Sequence, residues 1–297
     1  MQNFRIIKDK TAGGFMFFLT MGALLLVVVM GIGLFLKSAP IFENYSLKEL
    51  LFSSNWRPLR GEFGFLPFLM GTLWVTALAI TLSFPVALLT AIFLTEYSGS
   101  WVRKYIFPAL DILAGIPSVI YGVWGIILIV PWISEKIARN FVEFSTGYTV
   151  LAGGIVLGVM ILPILTSLFI ELFSSVPEQF REASMSLGAT KWQTIKKVVL
   201  RKTVPGIFAA VILAISRAFG ETIAVLMVCG NFPQIPRTLF DPAYPLPALI
   251  ANNYGEMLSL PLYEAALMFA ALILFVVILL FNLISRAVLY RIEKKFF

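Results

Sequence analysis

The stretch VILAISRAFGETIAVLMV, residues 211–228, places an arginine four residues before a glutamate in a segment that is otherwise apolar enough to cross a bilayer. An arginine near the middle of a lipid-facing helix costs at least about 2.5–3.5 kcal/mol, so such residues face the interior of a bundle or a water-filled cavity. Arg217 is therefore expected to point inward. The spacing of four predicts that Glu221 lies on the same helix face, one turn onward, where it can neutralise Arg217.

The composition indicates whether the chain is suited to water or to a lipid bilayer. Of its 297 residues, 59% are hydrophobic and 13% are charged, with a mean hydropathy of +0.92, whereas an average soluble domain is about 45–50% apolar and about 25% charged. The net charge of +7 comes from short basic clusters at the ends of apolar runs, which indicates membrane topology and argues against nucleic acid as a partner. With no histidine and only one cysteine, Cys229, the sequence offers neither a disulfide framework nor a His/Cys metal site.

Hydropathy predicts six membrane-spanning helices, each at or above the ~20 residues needed to cross the hydrocarbon core. Their predicted bounds are 13–36, 66–95, 105–132, 150–175, 204–230 and 262–288. The basic residues before the first span resemble the start of a signal peptide. The apolar run that follows is too long for one and no A-x-A cleavage site follows it, so we interpret the span as a retained anchor. The chain is expected to be a multi-pass protein of the cell (inner or plasma) membrane, in contact with lipid.

The basic residues also predict the orientation, because cytoplasmic loops carry an excess of Lys and Arg. Of the 23 Lys and Arg residues, fifteen fall on the side of the two termini, seven fall on the opposite side, and Arg217 lies inside the fifth span. Both termini are therefore expected in the cytoplasm.

Pro117 lies within the third predicted span, where a proline removes a backbone hydrogen-bond donor. It is interpreted either as an ordinary kink of a membrane helix or as a dedicated hinge.

The longest predicted cytoplasmic connection, residues 176–203, contains two signatures of helix N-termini. An S-x-x-E sequence from Ser175 and a T-x-x-Q sequence from Thr190 have the spacing of capping boxes, so two short helices are predicted. Gly188 lies between them, where it can adopt a positive φ and end the first helix.

Both of these helices are predicted to be amphipathic. The apolar faces consist of Phe180, Ala183 and Leu187 in the first helix and Trp192, Ile195, Val198 and Val199 in the second, and the polar face of the first consists of Glu178, Arg181 and Glu182. The pair of helices either docks on a partner protein or lies on the membrane with its apolar face down. The periodicity alone allows both.

The residues after Arg181 resemble the EAA loop of ABC-importer permeases, whose pattern is E-A-A, three residues, Gly, nine residues and I-x-L-P. Glu182, Ala183, Gly188 and Leu200 match this pattern in register. The resemblance implies a coupling helix that sits in a cleft of a separate ATPase subunit, with Arg181, Glu182, Ala183 and Gly188 in the coupling.

The loop departs from the family pattern at three positions. Ser184 replaces the third residue of E-A-A, Val198 replaces the isoleucine and Arg201 replaces the proline. The first two changes are conservative in size. Arg201 indicates a different turn into the fifth span, for which Pro205 is the candidate.

Three further segments resemble the phosphate-import permeases of the PstC type. They are GTLWVTALAITLSFPVALLTAIFLTEY (71–97), LDILAGIPSVIYG (110–122) and SRAFGETIAVLMVCGN (216–231). The similarity covers nearly the whole chain. It implies an all-α integral membrane protein with six transmembrane helices and the type I ABC-importer permease fold, with an N-terminal anchor and first external loop in residues 1–65 and the permease core in residues 66–297.

The same resemblance implies the partners. In that family the chain pairs with a homologous second permease of the PstA type as a heterodimer, with two ATP-binding subunits of the PstB type and with an extracytoplasmic phosphate-binding protein of the PstS type. The chain itself has no G-x-x-x-x-G-K-[ST] motif, so no cofactor is expected here and ATP is expected to bind to the partner subunit.

Two other classes of function compete with an importer permease. A membrane-embedded enzyme is disfavoured because the sequence has no histidine and no paired-carboxylate cluster. A self-contained channel or secondary carrier needs no ATPase, so the capped helix pair of the loop would lack a purpose. Within the importer class, sulfate or molybdate is the nearest alternative substrate.

With this resemblance, Arg217 and Glu221 are expected to contribute to a path for phosphate. A planar guanidinium matches the oxygens of an oxyanion bidentately, and Glu221 can hold Arg217 when the path is empty and keep binding weak enough for release. The alternative is a pair that only cancels its own charges. Thr222 would add a hydroxyl to the path, and Ser118 would line it near Pro117.

Asp111 has two interpretations. It lies one or two turns inside the cytoplasmic membrane face, eight residues beyond Arg103. It is either an interfacial carboxylate paired with Arg103 or Lys104, which is the interpretation that the spacing favours, or a residue of the path.

Overall fold

The computed structural model describes residues 2–255 and 260–296, and the side chains of residues 11–255, 260–288 and 290. Six of the basic side chains that were counted for orientation lie outside the described ones: Arg5, Lys8, Lys10, Arg291, Lys294 and Lys295. The α-helices of the described chain are α1 (Gln2–Phe42), α2 (Leu47–Phe52), α3 (Leu66–Ile92), α4 (Ser100–Gly115), α5 (Ser118–Trp124), α6 (Val130–Trp132), α7 (Val150–Ser174), α8 (Glu178–Ser186), α9 (Lys191–Thr194), α10 (Leu200–Phe219), α11 (Ile223–Val228), α12 (Leu246–Asn253) and α13 (Pro261–Phe296).

Short segments with other geometry extend or join these helices. They are the π-helical segments Phe93–Tyr97, Gly125–Ile129, Ile133–Ile137 and Ile195–Val199, the 3₁₀ turns Pro58–Arg60 and Ala138–Asn140, and the antiparallel strands β1 (Trp56–Arg57) and β2 (Glu62–Phe63). Leu59 lies at the tip of the hairpin between β1 and β2 and is 85% exposed.

Six helical segments of the described chain are long and apolar enough to cross a membrane. They are Thr11–Phe42, Leu66–Tyr97, Ser118–Asn140, Val150–Ser174, Lys191–Phe219 and Pro261–Val288. The number of spans and the approximate positions of the first, second, fourth and sixth are confirmed.

The prediction of a continuous third span over residues 105–132 is wrong, because the chain breaks at Pro117. Ile116 adopts an extended conformation, with φ −65° and ψ 128°. A residue before proline is disfavoured in the helical region by a clash with the proline ring. α4 therefore ends before the break, and the span begins with α5 and ends at Asn140.

The bounds predicted for the fifth span, 204–230, are also wrong. One helix continues from Lys191 to Phe219, so the second short helix predicted in the loop is the start of this span. No turn occurs at Pro205, which lies inside α10. The helix ends at Phe219, directly before Gly220, because glycine is a poor helix former. A separate helix, α11, begins shortly after it.

The centre of the bundle is the interface between α3 and α7, which pack along each other. Glycines on α7 allow a close approach. A Cβ atom on Gly154 would lie 2.5 Å from the side chain of Leu78, and one on Gly158 would lie 3.2 Å from the carbonyl oxygen of Ala79. Small residues serve this purpose between membrane helices, so α3 and α7 form a tightly packed base for the other elements.

A second apolar cluster lies at the end of the bundle where α3 begins. Trp56 of the hairpin contacts the rings of Phe65 and Phe68 edge-on. α12 packs into the same cluster, and the amide of Leu246 donates to the hydroxyl of Thr72 at 2.9 Å. The hairpin and α12 are thereby fixed to the start of the second span.

The first and last helices of the chain pack together. Lys37 Nζ on α1 lies 2.8 Å from Glu264 Oε1 on α13, and Gly31 faces the ring of Phe275. The apolar side chains along most of α1 are exposed in the single chain, as expected of a helix surrounded by lipid.

Candidate functional site

The turn between α8 and α9 forms as the sequence predicts. Gly188 has φ +83°, in the left-handed region that favours glycine, and its amide donates to the carbonyl of Met185 at 2.9 Å. The capping box at α9 is complete, because Thr190 N donates to Gln193 Oε1 (2.9 Å) and Gln193 N donates to Thr190 Oγ1 (3.3 Å). Local chemistry therefore fixes this turn.

The capping box predicted at Ser175 and Glu178 is absent. Ser175 follows the last residue of α7, and its hydroxyl donates back to the carbonyl of Leu172 at 2.8 Å. α8 begins after Pro177 without a side-chain cap. A serine hydroxyl that donates to a carbonyl three residues earlier bonds to the preceding helix. The Ser175 hydroxyl therefore bonds to α7, although the spacing predicted that it caps α8.

The loop exposes a group of apolar side chains, here called the loop surface. They are Phe180, Ala183, Met185, Leu187 and Trp192. Leu187 is 90% exposed, and Glu182 and Gly188 are exposed beside it. An exposed apolar patch rimmed by polar residues marks a contact with protein or membrane.

The residues of the apolar face predicted for the second helix do not share one environment. Ile195 and Val199 are buried in the bundle, whereas Trp192 is exposed. The reason is that α9 continues directly into the fifth span, which turns one side of this segment toward the core.

Arg181 differs most from its prediction as a residue of the polar face. Its side chain is 11% exposed and lies 2.8 Å from Glu96, whose side chain is 8% exposed. The guanidinium also donates to the carbonyl of Phe173 at 2.8 Å and to that of Val176. Arg181 therefore points toward the bundle and joins α8 to the ends of the second and fourth spans.

Sequence reasoning missed Glu96 as the partner of Arg181. The two residues are 85 positions apart in the chain, so no local pattern connects them. The available signal was a single carboxylate at the end of an otherwise apolar run, where an unpaired charge is costly.

Arg217 and Glu221 do not lie on one continuous helix, because α10 ends at Phe219. Within the described part of the chain no ion pair joins them. Arg217 is exposed in the last turn of α10, and Glu221 Oε1 accepts a hydrogen bond from the amide of Ala224 at 3.2 Å. The predicted neutralisation through one helix face is thus wrong, and Glu221 caps the start of α11 instead.

Two other residues predicted for the path lie next to helix breaks. Ser118 is the first residue of α5, directly after the break at Pro117. Thr222 precedes α11, and its hydroxyl donates to the carbonyl of Gly220 at 3.2 Å. α5 and α11 pack together, so the structure brings the two breaks onto neighbouring elements.

Asp111 lies on α4, outside the six spans, and it is exposed. Arg103 donates to the carbonyl of Thr95 at 2.6 Å and to the hydroxyl of Ser98 at 3.1 Å. Among the side chains that the structure describes, neither Arg103 nor Lys104 forms an ion pair with Asp111. The predicted interfacial pair is therefore wrong.

A metal centre finds no support in the described residues. None of their His, Cys, Asp and Glu side chains form a group of three or more that could hold an ion. The chemistry that these elements offer is that of charged and apolar contacts at two places: the loop surface with the buried Arg181, and the helix breaks near Arg217.

Comparison with known proteins gives a family match over most of the chain. Residues 83–297 match the model of the binding-protein-dependent transport system inner membrane component family. The chain is 40% identical over 240 residues to a probable ABC transporter permease protein, YqgH, of Bacillus subtilis, covering 80% of this chain and 76% of that protein. It is 35% identical over 290 residues to the phosphate transport system permease protein PstC of Mesorhizobium japonicum, covering 92% and 88%.

Solved structures show a likeness of fold. A bacterial ABC transporter involved in the import of the acidic polysaccharide alginate contains a chain that superposes with a TM-score of 0.57 at 17% identity, covering 75% of this chain and 79% of that one. The predicted type I importer fold is therefore confirmed.

Proposed function

This chain belongs to the family of binding-protein-dependent transport system inner membrane components, and on that premise we propose that it is the permease subunit of an ATP-driven phosphate importer. The observation that carries the proposal is the 35% identity to a phosphate transport system permease over 92% of the chain. The loop surface supports it, because an importer permease must dock on an ATPase.

The partners follow from membership of the family. A permease of this kind works with an ATPase and with a binding protein. We assign the second permease to the PstA type, in a heterodimer with this chain, the two ATPase subunits to the PstB type and the binding protein to the PstS type. ATP binds to the ATPase subunits, and this chain holds no cofactor.

The mechanism is alternating access. The binding protein delivers phosphate to the outer side of the two permeases, and ATP binding closes the two ATPase subunits. Their movement displaces the loop surface, which lies around Gly188. The two bundles then rock against each other and open the path inward. Glu182 and Ala183 contribute to the docking, since both are exposed on α8.

Arg217 is the residue that contacts phosphate in this proposal. The residue is exposed in the single chain and has no ion pair among the described residues, so we expect its guanidinium to bind an oxyanion bidentately. Glu221 limits the affinity by repulsion. Thr222 and Ser118, beside the two helix breaks, add their hydroxyls to the same path in this proposal.

The test is transport by the assembled complex in proteoliposomes, with the binding protein and radiolabelled phosphate outside and ATP inside. We expect uptake that needs both ATP and the binding protein and that excess sulfate or molybdate does not reduce. Arg217→Gln should abolish uptake while the complex still assembles.

The outcomes distinguish a wrong substrate assignment from a wrong role for Arg217. If labelled phosphate is not taken up but labelled sulfate or molybdate is, the chain is a permease for another oxyanion. If the Arg217→Gln complex transports phosphate normally, Arg217 is not in the path, and the substrate assignment is unaffected. The double variant Arg217→Gln/Glu221→Gln should be as inactive as the single one, because the two residues do not neutralise each other.

A further inference from the structure

α8 is held to the bundle by a charge and not by an apolar face. Arg181 is the one buried residue of this helix, whose bounds are Glu178–Ser186. The apolar side chains of α8 are exposed, and the ring of Phe180 contacts the ammonium group of Lys202 on α10. Arg181 is therefore the buried side chain through which a force on the outer side of α8 can reach the ends of the second and fourth spans.

The contacts of Arg181 join three elements. Nη2 and Nε lie 2.8 and 3.1 Å from Glu96 Oε1, which belongs to the π-helical end of the second span. Nη2 also donates to the carbonyl of Phe173, and Nη1 to that of Val176, at the end of the fourth span. Carbonyls at a helix C-terminus carry partial negative charge, so a cation is favoured there.

These bonds are directional. A planar guanidinium has five donors in fixed positions, so it resists sliding in a way that apolar packing does not. Buried ion pairs add little net stability compared with apolar residues of similar volume. A pair at this junction is thus better suited to fixing the position of α8 than to stabilising the fold.

The surroundings keep the pair at one geometry. A second arginine, Arg103, donates to the carbonyl of Thr95 at 2.6 Å, next to Glu96. The hydroxyls of Ser184 and Thr194 are 2.9 Å apart and connect α8 to α9. A cavity of about 570 Å³ borders Glu96, Arg103 and Arg181, so these hydrogen bonds, rather than close packing on every side, hold the pair in place.

We propose that Glu96 and Arg181 form the positioning contact that carries the displacement of α8 to the second and fourth spans. Glu96 is required to couple ATP hydrolysis to transport, although it touches neither substrate nor nucleotide. The inference rests on the proposed function in one respect, which is that an ATPase acts on α8.

The test compares Glu96→Gln with Glu96→Asp in the reconstituted complex, with Glu264→Gln as the control. Glu264 forms an exposed ion pair between two spans away from α8. We expect the Glu96→Gln complex to assemble and hydrolyse ATP while phosphate uptake per ATP falls at least about tenfold, because the guanidinium loses its buried counter-charge and keeps only the exposed carboxylate of Glu178, 3.5 Å away. Glu96→Asp should retain part of the coupling, and Glu264→Gln should match the parent protein.

A merely structural role for the pair gives a different result. In that case hydrolysis and uptake per assembled complex fall together and their ratio stays constant, which would overturn the proposal. Failure of Glu96→Gln to assemble while Glu96→Asp assembles with normal coupling would overturn it as well.

A distance measurement tests the proposal without any transported substrate. Spin labels at Gln179→Cys on α8 and at Ser100→Cys, the first residue of α4 and three residues beyond the end of the second span at Tyr97, in a Cys229→Ala background, report whether the two sites move together. In the complex with intact Glu96 the distance should not change on addition of ATP and vanadate, whereas in Glu96→Gln it should change. An unchanged distance in Glu96→Gln would refute the contact as the link. If the complex with intact Glu96 shows a constant distance but no phosphate uptake, the substrate assignment has failed and the inference has not.

Discussion

At Gly188 the structure requires a particular backbone conformation but places no limit on the space for a side chain. Nothing lies within 4 Å of the place that a Cβ atom would occupy, yet φ is +83°. A side chain there would meet no neighbour. Its cost would come from the left-handed conformation alone, about 1–3 kcal/mol for a residue other than glycine.

We therefore expect Gly188→Val to misplace α8 and to lower ATP-driven uptake severalfold, with normal insertion in the membrane. Gly188→Asn is the matched control, because asparagine adopts the left-handed region far more readily than a β-branched residue. Uptake by the two reconstituted variants, each normalised to the amount of assembled complex, is the measurement. Equal activity of the two variants would show that the left-handed turn is not needed for coupling.

Individual residues also show which contacts could be predicted from the sequence. Gly188 and the Thr190–Gln193 capping box depend on interactions within four residues, so their spacing was sufficient. Arg181 was placed on the wrong side of α8, because its partner Glu96 is 85 positions away and the amphipathic pattern assigns every charge to the polar side.

At the scale of elements, the interface between α3 and α7 depends on residues without side chains. A Cβ atom on Gly154 would lie 2.5, 2.6 and 2.9 Å from three side-chain atoms of Leu78. Leu78 packs against the core, so it has little room to move away. Overpacking of this kind costs about 1–3 kcal/mol.

Gly154→Ala should accordingly lower the melting temperature of the purified complex in detergent. Gly33→Ala provides the comparison, because Gly33 is also within a spanning helix, but nothing lies within 4 Å of its Cβ position. We expect Gly33→Ala to leave the melting temperature unchanged or to raise it slightly through better helix propensity. Identical melting of both variants would contradict the close packing of α3 against α7.

Hydropathy predicted the presence of the spanning helices better than the residues at which these helices end. An apolar run shows that a segment can enter the membrane, but it does not show where the helix stops. At Pro117 and Gly220 a single residue ends the helix, and the apolar sequence continues past both. This moved Asp111 out of the third span and placed Arg217 and Glu221 on either side of a break.

At the scale of the molecule, the single chain leaves Arg217 and the loop surface uncovered. Both are expected to be covered in the complex, one along the path and the other at the ATPase. The sequence indicated six spans through their composition. Composition and periodicity could not indicate which surfaces meet another subunit, because exposed apolar residues face lipid and protein alike; only the resemblance to the EAA loop pointed to one.

The orientation predicted from the basic residues places the loop surface inside the cell and the hairpin of β1 and β2 outside. In a Cys229→Ala background, a membrane-impermeant maleimide added to intact cells should label Leu59→Cys, which is at an exposed position, and should not label Ser186→Cys. Permeabilised cells provide the control, since both cysteines should then react. Labelling of Ser186→Cys in intact cells would reverse the assigned topology.

The packing of the first helix on the last one has a consequence for biosynthesis. More than 200 residues lie between the end of α1 at Phe42 and the start of α13 at Pro261. At 5–20 residues per second the ribosome needs about 10–40 s to translate them. During that time α1 resides in the bilayer without the helix that it later contacts. A nascent chain that terminates before α13 therefore leaves α1 unpaired, so the closing contact between Lys37 and Glu264 distinguishes a completed subunit from a truncated one.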